Sequence, residues 1–464
     1  MGIDLLNFGF INRLANSRIF RPLLLLISLA FFVVIIIAGL FGSPVGDRNA
    51  SIVMVWILWF FLLLVVLLPL GGRIWCMACP LPAPAEWVSR KAIVRKTDGT
   101  LNLGFKWPKG LDNIWLQNFA FLSVAIFSPL ILTRPDATAY ALLLFVFLAL
   151  IIDLSFKKGR PGKVFCRYLC PLGGFIGVCA TLGALAIRPR DRDTCRTCKR
   201  KTCIKGNERG YGCPWLLYPG GLEKNTYCGL CLECIKSCDH SNMTLITQGF
   251  GRDLLKRKRL DEAFMGFIIL GSAMVYSAAY FGWWPRLKET INFSDDIFLS
   301  SAIYWDRVAL FGAFLIGVCI VALPSLHLGF AWLSKKMAKD KMPLKKIFVD
   351  YAYCMIPLGF MAWMGFAIGT AMINGSHIVS VISDPLGWGW DIFGTANYPW
   401  RPYYSGLVPY VQLVTFLIGG ILATAVGWRI SVENFKERAF KAAVPMTLFF
   451  GLITSMLVFI FVMP

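Results

Sequence analysis

Four cysteines between residues 228 and 238 have the spacing of thiolates that bind an iron–sulfur cluster. The sequence reads Cys228-x-x-Cys231-x-x-Cys234-x-x-x-Cys238. In two-cluster proteins with this spacing, the three close thiolates bind irons of one cubane and the fourth cysteine binds the other cluster. The spacing therefore predicts one [4Fe-4S] site here and further ligands elsewhere in the chain.

Those further ligands lie just upstream, in a looser series that ends in a Cys-Pro pair. Read with the first series, it completes two sets of four thiols, each of which takes one cysteine from the other series. The predicted sets are Cys195, Cys198, Cys203 and Cys238 for one cluster and Cys213, Cys228, Cys231 and Cys234 for the other. Two [4Fe-4S] clusters are thus the predicted cofactors.

Zinc is the alternative for this segment, because tetrahedral zinc sites also use Cys-x-x-Cys pairs. Eight cysteines exceed what one zinc ion needs, and the tight Cys-x-x-Cys-x-x-Cys series is a cubane spacing. The pattern therefore favours iron–sulfur clusters over zinc.

Two more cysteine pairs each end in Cys-Pro and follow long apolar runs: Cys76-Met-Ala-Cys79-Pro80 and Cys166-Arg-Tyr-Leu-Cys170-Pro171. Three interpretations remain open for these four thiols. They could together bind a metal ion or an additional Fe–S centre, form a redox-active thiol pair, or act as small buried apolar residues. The isolated Cys179, Cys319 and Cys354 are expected to lie in the core.

Long apolar runs must position these cysteines. Hydrophobic residues make up 57% of the 464-residue chain and charged residues only 16%. Because a membrane span needs about 20 apolar residues, we predict about nine transmembrane helices. They are placed near residues 22–42, 51–70, 113–132, 138–155, 263–283, 304–333, 347–374, 407–428 and 444–462. The first run is expected to be a retained anchor, and the shorter apolar stretch Leu172 to Ile187 is expected to be re-entrant or interfacial.

The net charge of +21 follows the membrane topology and does not indicate a nucleic-acid partner. Lys and Arg concentrate in the loops at 71–112, 334–346 and 429–443, and the intervening loops are poor in them. The positive-inside rule then places the N-terminus and the 156–262 region in the cytoplasm and the C-terminus outside. The predicted location is the cell's inner membrane.

Only three histidines occur in the chain. His327 and His377 are predicted on opposite membrane sides and therefore cannot share a haem. His377 and Asp384 are candidates for a quinol site in an outward loop that also contains Trp388 and Asp391. An ordinary interfacial loop explains the same residues.

The predicted fold is an all-α polytopic membrane protein with an inserted ferredoxin-like cytoplasmic domain that binds two [4Fe-4S] clusters. The expected segments are an N-terminal membrane domain at 1–188, the two-cluster domain at 189–262, and a five-helix membrane domain at 263–464. The two-cluster segment is basic, polar and rich in cysteine.

The run Phe165-Cys166-Arg167-Tyr168-Leu169-Cys170-Pro171 before a two-cluster segment resembles the membrane polyferredoxin family. This family includes the quinol-oxidising subunit of periplasmic nitrate reductase systems, the membrane flavoprotein associated with nitrous oxide reductase, and the cupric reductase of cbb3 oxidase assembly. The resemblance covers residues 15–250. Family members typically have Cys-x-x-x-Cys-Pro pairs, so the first pair of this chain is one residue shorter.

The resemblance implies an electron-transfer subunit that works between the quinone pool, or a membrane redox centre, and a partner oxidoreductase in a hetero-oligomeric complex. Two alternative functions remain open. One is an assembly factor that reduces a metal ion such as copper, and the other is a redox-sensing membrane regulator. The lipid bilayer is a partner in every case.

Overall fold

The computed structural model of the chain describes residues 2–91, 101, 103–129, 131–156, 163–280 and 305–462. Long helices dominate these residues. The main ones are Phe20–Phe41, Ala50–Ala78 (which includes two π-helical stretches and a kink), Trp115–Phe127, Pro135–Ser155, Leu260–Tyr280, Val308–Ala338, Leu344–Asn374, Val408–Phe435 and Ala439–Val462.

Seven helical stretches in the described residues are long and apolar enough to cross a membrane, which confirms an all-α chain of multi-pass character. The last stretch, Ser405–Val462, contains 58 residues. At ~1.5 Å per residue it would be ~87 Å long, against a hydrocarbon core of ~30 Å. It is in fact two helices, because the backbone breaks at Lys436, where φ is 48°.

The predicted count of nine spans therefore corresponds to eight long helices and one short helix in the described residues. The predicted span 113–132 falls on Trp115–Phe127, whose 13 residues are fewer than a span needs. The predicted ends at residues 283 and 304 lie outside the described residues.

The chain divides into two compact units. The first contains Met1–Ile36, Val66–Ala120 and Tyr140–Lys256, and the second contains the remainder: Ile37–Val65, Phe121–Ala139 and Arg257–Pro464. This division differs from the three segments predicted from the sequence. All twelve cysteines of the predicted sites belong to the first unit.

In the first unit, a two-stranded antiparallel sheet brackets the cysteine-rich loops. Strand β1 (Leu185–Pro189) pairs with β2 (Met243–Thr247), so that Leu185 lies opposite Thr247. The stretch Leu172 to Ile187, predicted to be re-entrant or interfacial, begins in the helix Pro171–Cys179, and its last three residues belong to β1. Its position relative to a membrane stays a prediction.

The N-terminal segment also packs on this sheet. Asp4 forms an isolated bridge with Ile246, and the N–H of Thr247 donates to the carbonyl of Ile3 at 3.0 Å. Ala15 belongs to the amphipathic helix Gly9–Asn16 and is fully buried. It lies in the same hydrophobic core as Cys195, Cys234 and Cys238. The chain therefore begins as part of the cysteine-rich region before it enters its first long helix.

In the second unit, small residues let long helices pack closely. Helix Met355–Asn374 packs against Leu260–Tyr280 and Val408–Phe435, and the latter packs against Ala439–Val462. A Cβ at Gly359 would lie 2.8 Å from the backbone nitrogen of Leu270, so only glycine allows this approach. Small residues at such crossings are typical of helices that associate in a membrane.

Candidate functional site

One predicted set of four cysteines surrounds a single cavity. Its empty volume is about 340 Å³, part of it open to solvent. The cavity is lined by all four thiols of the set together with Tyr218, His240, Asn242 and other side chains. We call Cys195, Cys198, Cys203 and Cys238 the open set. The structure thus brings Cys238 to the three cysteines from which the sequence separates it.

Asn242 joins the two ends of the open set. Its Nδ2 donates to the Sγ of Cys195 at 3.2 Å, and its backbone N–H donates to the Sγ of Cys238 at 3.3 Å. Gly220 completes the wall, because a Cβ there would lie 2.9 Å from the Sγ of Cys195. Hydrogen bonds to thiolate sulfur are one of the ways in which proteins stabilise and tune iron–sulfur clusters.

The other predicted set also comes together, deeper in the same core. The thiols of Cys228, Cys231 and Cys213 all act electrostatically on that of Cys234, whose pKa rises well above its usual value, first because of burial. We call Cys213, Cys228, Cys231 and Cys234 the buried set. Cys203 of the open set also acts on Cys234, so the two sets are neighbours.

The loop of the buried set is held in a strained conformation that points N–H groups at sulfur. Leu230 and Leu232 both have left-handed backbones, with φ of 46° and 63°. The N–H of Leu230 donates to Cys228, and the N–H of Glu233 donates to Cys231. A left-handed conformation costs a branched residue roughly 1–2 kcal/mol. Such strain persists where the surroundings impose it, as at ligand-binding loops.

Buried cations lie beside the buried set. Arg21 and Lys163 act on Cys231, and Arg73 acts on Cys228. Arg73 is only 1% exposed, and its NH1 donates to the carbonyl of Thr226 at 2.8 Å. Lys163 lies 3.3 Å from Glu86, a carboxylate that also pairs with Arg21 at 2.6 Å. Fixed positive charge of this kind stabilises negative charge on thiolates.

The two Cys-Pro pairs converge as well. We call Cys76, Cys79, Cys166 and Cys170 the Cys-Pro set. Electrostatic interactions link Cys79 with Cys76 and Cys170, and Cys166 with Cys170 and Cys79. Every cysteine of the chain is a free thiol. The interpretation that the four thiols together bind a metal ion or an Fe–S centre requires the two pairs, about 90 residues apart in the sequence, to meet, and the structure brings them together.

The eight predicted cluster ligands fit [4Fe-4S] clusters on two observations. Burial raises the pKa of Cys203 to about 12 and that of Cys228 to about 11, so at neutral pH a bound metal is what would deprotonate these thiols. The indole N–H of Trp215, whose backbone N–H donates to Cys213, is buried and has no acceptor among the residues that the structure describes. A cluster sulfide is an acceptor of the kind this donor lacks.

A single-ion site is not present in the residues that the structure describes. No three His, Cys, Asp or Glu side chains there are arranged to hold one metal ion. Tetrahedral zinc needs four ligands around one point. The thiolates of a cubane bind four separate irons and do not converge in this way.

The other polar candidates have structural partners. Asp384 accepts the N–H groups of Trp388 and Gly389 at 3.0 and 2.7 Å, and thereby holds a turn. Asp391 accepts the hydroxyl of Ser383 and the N–H of Ala396. His377 and Asp384 share no hydrogen bond in the described part of the chain, so a quinol site there stays a prediction.

Two isolated polar residues behave as expected for core positions. The Nε2 of His327 lies 3.0 Å from the carbonyl oxygen of Phe348, inside a ring of phenylalanines. Asp153 accepts the backbone N–H of Phe165 at 2.8 Å and so anchors the start of the helix that carries Cys166. His240 lines the cavity of the open set.

Sequence reasoning missed Arg73, Lys163, Trp215 and Asn242. Each is an ordinary residue type with no motif of its own, although each lies within four residues of a cysteine of one of the sets. A buried charge inside an apolar run is the one signal available, and Arg73, next to the glycines at 71 and 72, has it.

Comparison with protein-family models, with curated proteins and with solved structures finds no match to this chain. The resemblance to membrane polyferredoxins therefore rests on the cysteine motifs alone and stays a prediction.

Proposed function

We propose that this chain is an inner-membrane electron-transfer subunit that relays single electrons through two [4Fe-4S] clusters. One cluster is bound by the open set and the other by the buried set. The relay connects the quinone pool, or another membrane redox centre, with a partner oxidoreductase. The observation that carries the proposal is that the thiols form two neighbouring sets: the open set lines one cavity, and the other three thiols of the buried set, together with Cys203, act on that of Cys234.

When bound, the clusters supply one-electron redox chemistry, and the protein contributes position, charge and shielding. Cys203 and Cys234 belong to different sets, and the thiol of Cys203 acts electrostatically on that of Cys234, which supports electron exchange between the two clusters. Each transfer leaves the chain unchanged once the electron has moved on. A quinol donor would release two protons and two electrons, delivered in two successive one-electron steps.

The residues around the open set suit contact with an acidic partner. The cations Arg196, Lys199, Arg200 and Lys201 are exposed in the loops that carry Cys195, Cys198 and Cys203. Positive surface potential speeds the encounter with a negatively charged redox protein. We place this face in the cytoplasm, because the cation-rich loops are expected on that side.

Metal and sulfide analysis tests the proposal. The full chain, purified anaerobically in detergent, is expected to contain at least about eight irons and as many acid-labile sulfides. Reduction with dithionite should give the EPR signal of two interacting [4Fe-4S]⁺ clusters. Zinc without sulfide would contradict the proposal.

Native co-purification separates the relay from an assembly factor. A stoichiometric oxidoreductase partner supports the relay. A substoichiometric association with a maturing enzyme would instead favour the metal-reductase alternative.

A further inference from the structure

We infer that the Cys-Pro set binds a third, polynuclear iron–sulfur centre. The inference rests on the proposed function, because it adds one more centre of the same chemistry. Its four thiols come from two separate Cys-Pro turns. Lys163, three residues before Cys166, reaches the carbonyl of Cys76, and Arg73, three residues before Cys76, reaches the carbonyl of Cys166, so the two turns lie together. Cys76 and Cys166 are buried, and Cys79 and Cys170 are half-buried.

Backbone donors point at the Cys-Pro set in the same way as at the buried set. The N–H of Leu81 donates to Cys79, and the N–H of Leu172 donates to Cys170, each from two residues further along. In the buried set, Cys228 and Cys231 receive N–H groups at the same separation. The Cys-Pro set and the buried set share no helix or strand. In both of them, a cysteine sulfur accepts the backbone N–H of the residue two positions later.

Gly173 makes the second turn possible. A Cβ there would lie 2.7 Å from the carbonyl oxygen of Cys166 and 2.8 Å from the Nε2 of Gln117. That Nε2 donates to the carbonyls of Cys166 and Cys170 at 3.1 and 3.2 Å. The amide therefore fixes the two ends of the Cys-x-x-x-Cys turn relative to each other, as a ligand loop requires.

The decisive feature is the charge of Arg73. Its guanidinium donates to the thiol of Cys76 and, at 3.3 Å, to the carbonyl of Cys166. Within the described residues it has no carboxylate partner, and its Nε has no acceptor. A fully buried, uncompensated cation is very costly. Thiolates that carry a cluster would supply the missing negative charge, whereas four neutral thiols would not.

A second buried cation lies at the same place. The Nζ of Lys163 is 3.4 Å from the carbonyl of Cys76, and Lys163 acts electrostatically on both Cys79 and Cys166. The same two cations, Arg73 and Lys163, also act on Cys228 and Cys231 of the buried set. The third centre would therefore lie next to the buried set and extend the row of cofactors.

The other interpretations of these four thiols fit less well. All of them are free, which gives no support to a disulfide pair. Among the described residues, no three of these side chains are arranged around a single metal ion. A centre of several irons, in which each thiolate binds its own iron or shares one with a second thiolate, remains.

Iron counting on the full chain tests the inference. We expect about twelve irons per chain for a four-iron centre, or about ten for a two-iron centre, where two cubanes alone give about eight. The double variant Cys166→Ala/Cys170→Ala should fall to about eight irons and keep the EPR signals of both cubanes. The matched control Cys179→Ala/Cys354→Ala, which removes two isolated buried thiols, should keep the full count.

The outcomes separate this inference from the proposed function. About eight irons in the unmodified chain, with two cubane signals, would overturn the third centre and leave the relay standing. No cluster iron at all would overturn both. If the unmodified chain has the full iron count and the double variant keeps it, Cys166 and Cys170 are not ligands of the third centre. Because the first measurement needs no variant, misfolding of the variant does not rescue the inference.

Discussion

The open set and the buried set each consist of four cysteine thiols, and yet their surroundings differ. The open set lines a cavity that reaches solvent, and its nearby cations are exposed. The buried set lies among Leu230, Leu232 and Trp215, and three of the cations near it, Arg21, Arg73 and Lys163, are buried. The comparison teaches that one protein can provide two kinds of cluster site. One is open to solvent and suits electron exchange with a partner protein, and the other is surrounded by charges that the fold holds in place.

The largest expected effect comes from removing one ligand of each set. Cys231→Ser should abolish both predicted clusters, because the left-handed Leu230 and Leu232 flank this ligand and lose the constraint that holds them. Cys198→Ser, in the open set, should lose only one cluster. Iron and sulfide analysis measures both. Equal losses in the two variants would break the comparison.

A second test removes one supporting carboxylate from each set. Asp253 pairs with Arg188 at 3.0 Å and accepts the N–H of Asn225, three residues before Cys228. Asp253→Ala leaves a half-buried cation unpaired, and we expect a destabilisation of about 3 kcal/mol. The temperature at which the buried cluster releases its iron measures this effect.

Asp191 is the corresponding residue at the open set. It caps the helix Arg192–Thr197 by accepting the N–H groups of Asp193 and Thr194. The Thr194 hydroxyl and these N–H groups hold its pKa below the usual value, so the cap is intact at neutral pH and weakens only as the pH falls through that lowered pKa. Because water can replace an exposed cap, Asp191→Ala should have a clearly smaller effect on iron release than Asp253→Ala. A larger effect would contradict the assignment of the rigid site to the buried set.

The third test uses glycine. A Cβ at Gly229 would lie 2.1 Å from the ring of Trp215, so Gly229→Ala must displace a fully buried indole. We expect a cost of about 1–3 kcal/mol, as for other overpacked cores. Gly249→Ala is the control, because its Cβ would meet nothing within 4 Å. Thermal unfolding of the two variants should differ accordingly, and equal midpoints would show that the ring is loosely packed.

Local spacing was enough to predict which cysteines belong together. Cys228, Cys231 and Cys234 follow one another within a single loop, and the ligand rule assigns Cys238 to the other set. The long helices could be predicted equally well from the sequence, because the length of an apolar run is a local property. The number of membrane spans was harder to predict from the sequence, because the helix Trp115–Phe127 is apolar but short.

The remaining features depend on contacts that no local pattern encodes. Strand β1 reads as the end of an apolar helix until Met243–Thr247 pairs with it. Arg73 reaches Thr226, 153 residues away, and only the fold shows that a buried cation stands between two thiol sets. Pairings at such separations follow from tertiary packing, which overrides local propensity.

The smallest expected effect concerns reduction potential. Lys163 is buried beside the buried set, and Lys201 is exposed beside the open set. Removing a buried positive charge makes the gain of an electron less favourable, so Lys163→Gln should lower the potential of the buried cluster by on the order of 50 mV. Lys201→Gln should shift the open cluster by only about a fifth of that, because water and salt screen an exposed charge. Glu86 keeps Arg21 and Arg90 as partners in Lys163→Gln, which limits the structural cost.

EPR-monitored redox titration of both variants measures these shifts cluster by cluster. At higher salt, the shift from Lys201→Gln should shrink further, whereas the shift from Lys163→Gln should persist, since ions do not reach a buried site. Salt sensitivity thus separates the two environments even where the shifts are close in size. Equal shifts with equal salt dependence would mean that the buried cations do not set the potential, and the difference between the two sets would then be one of access alone.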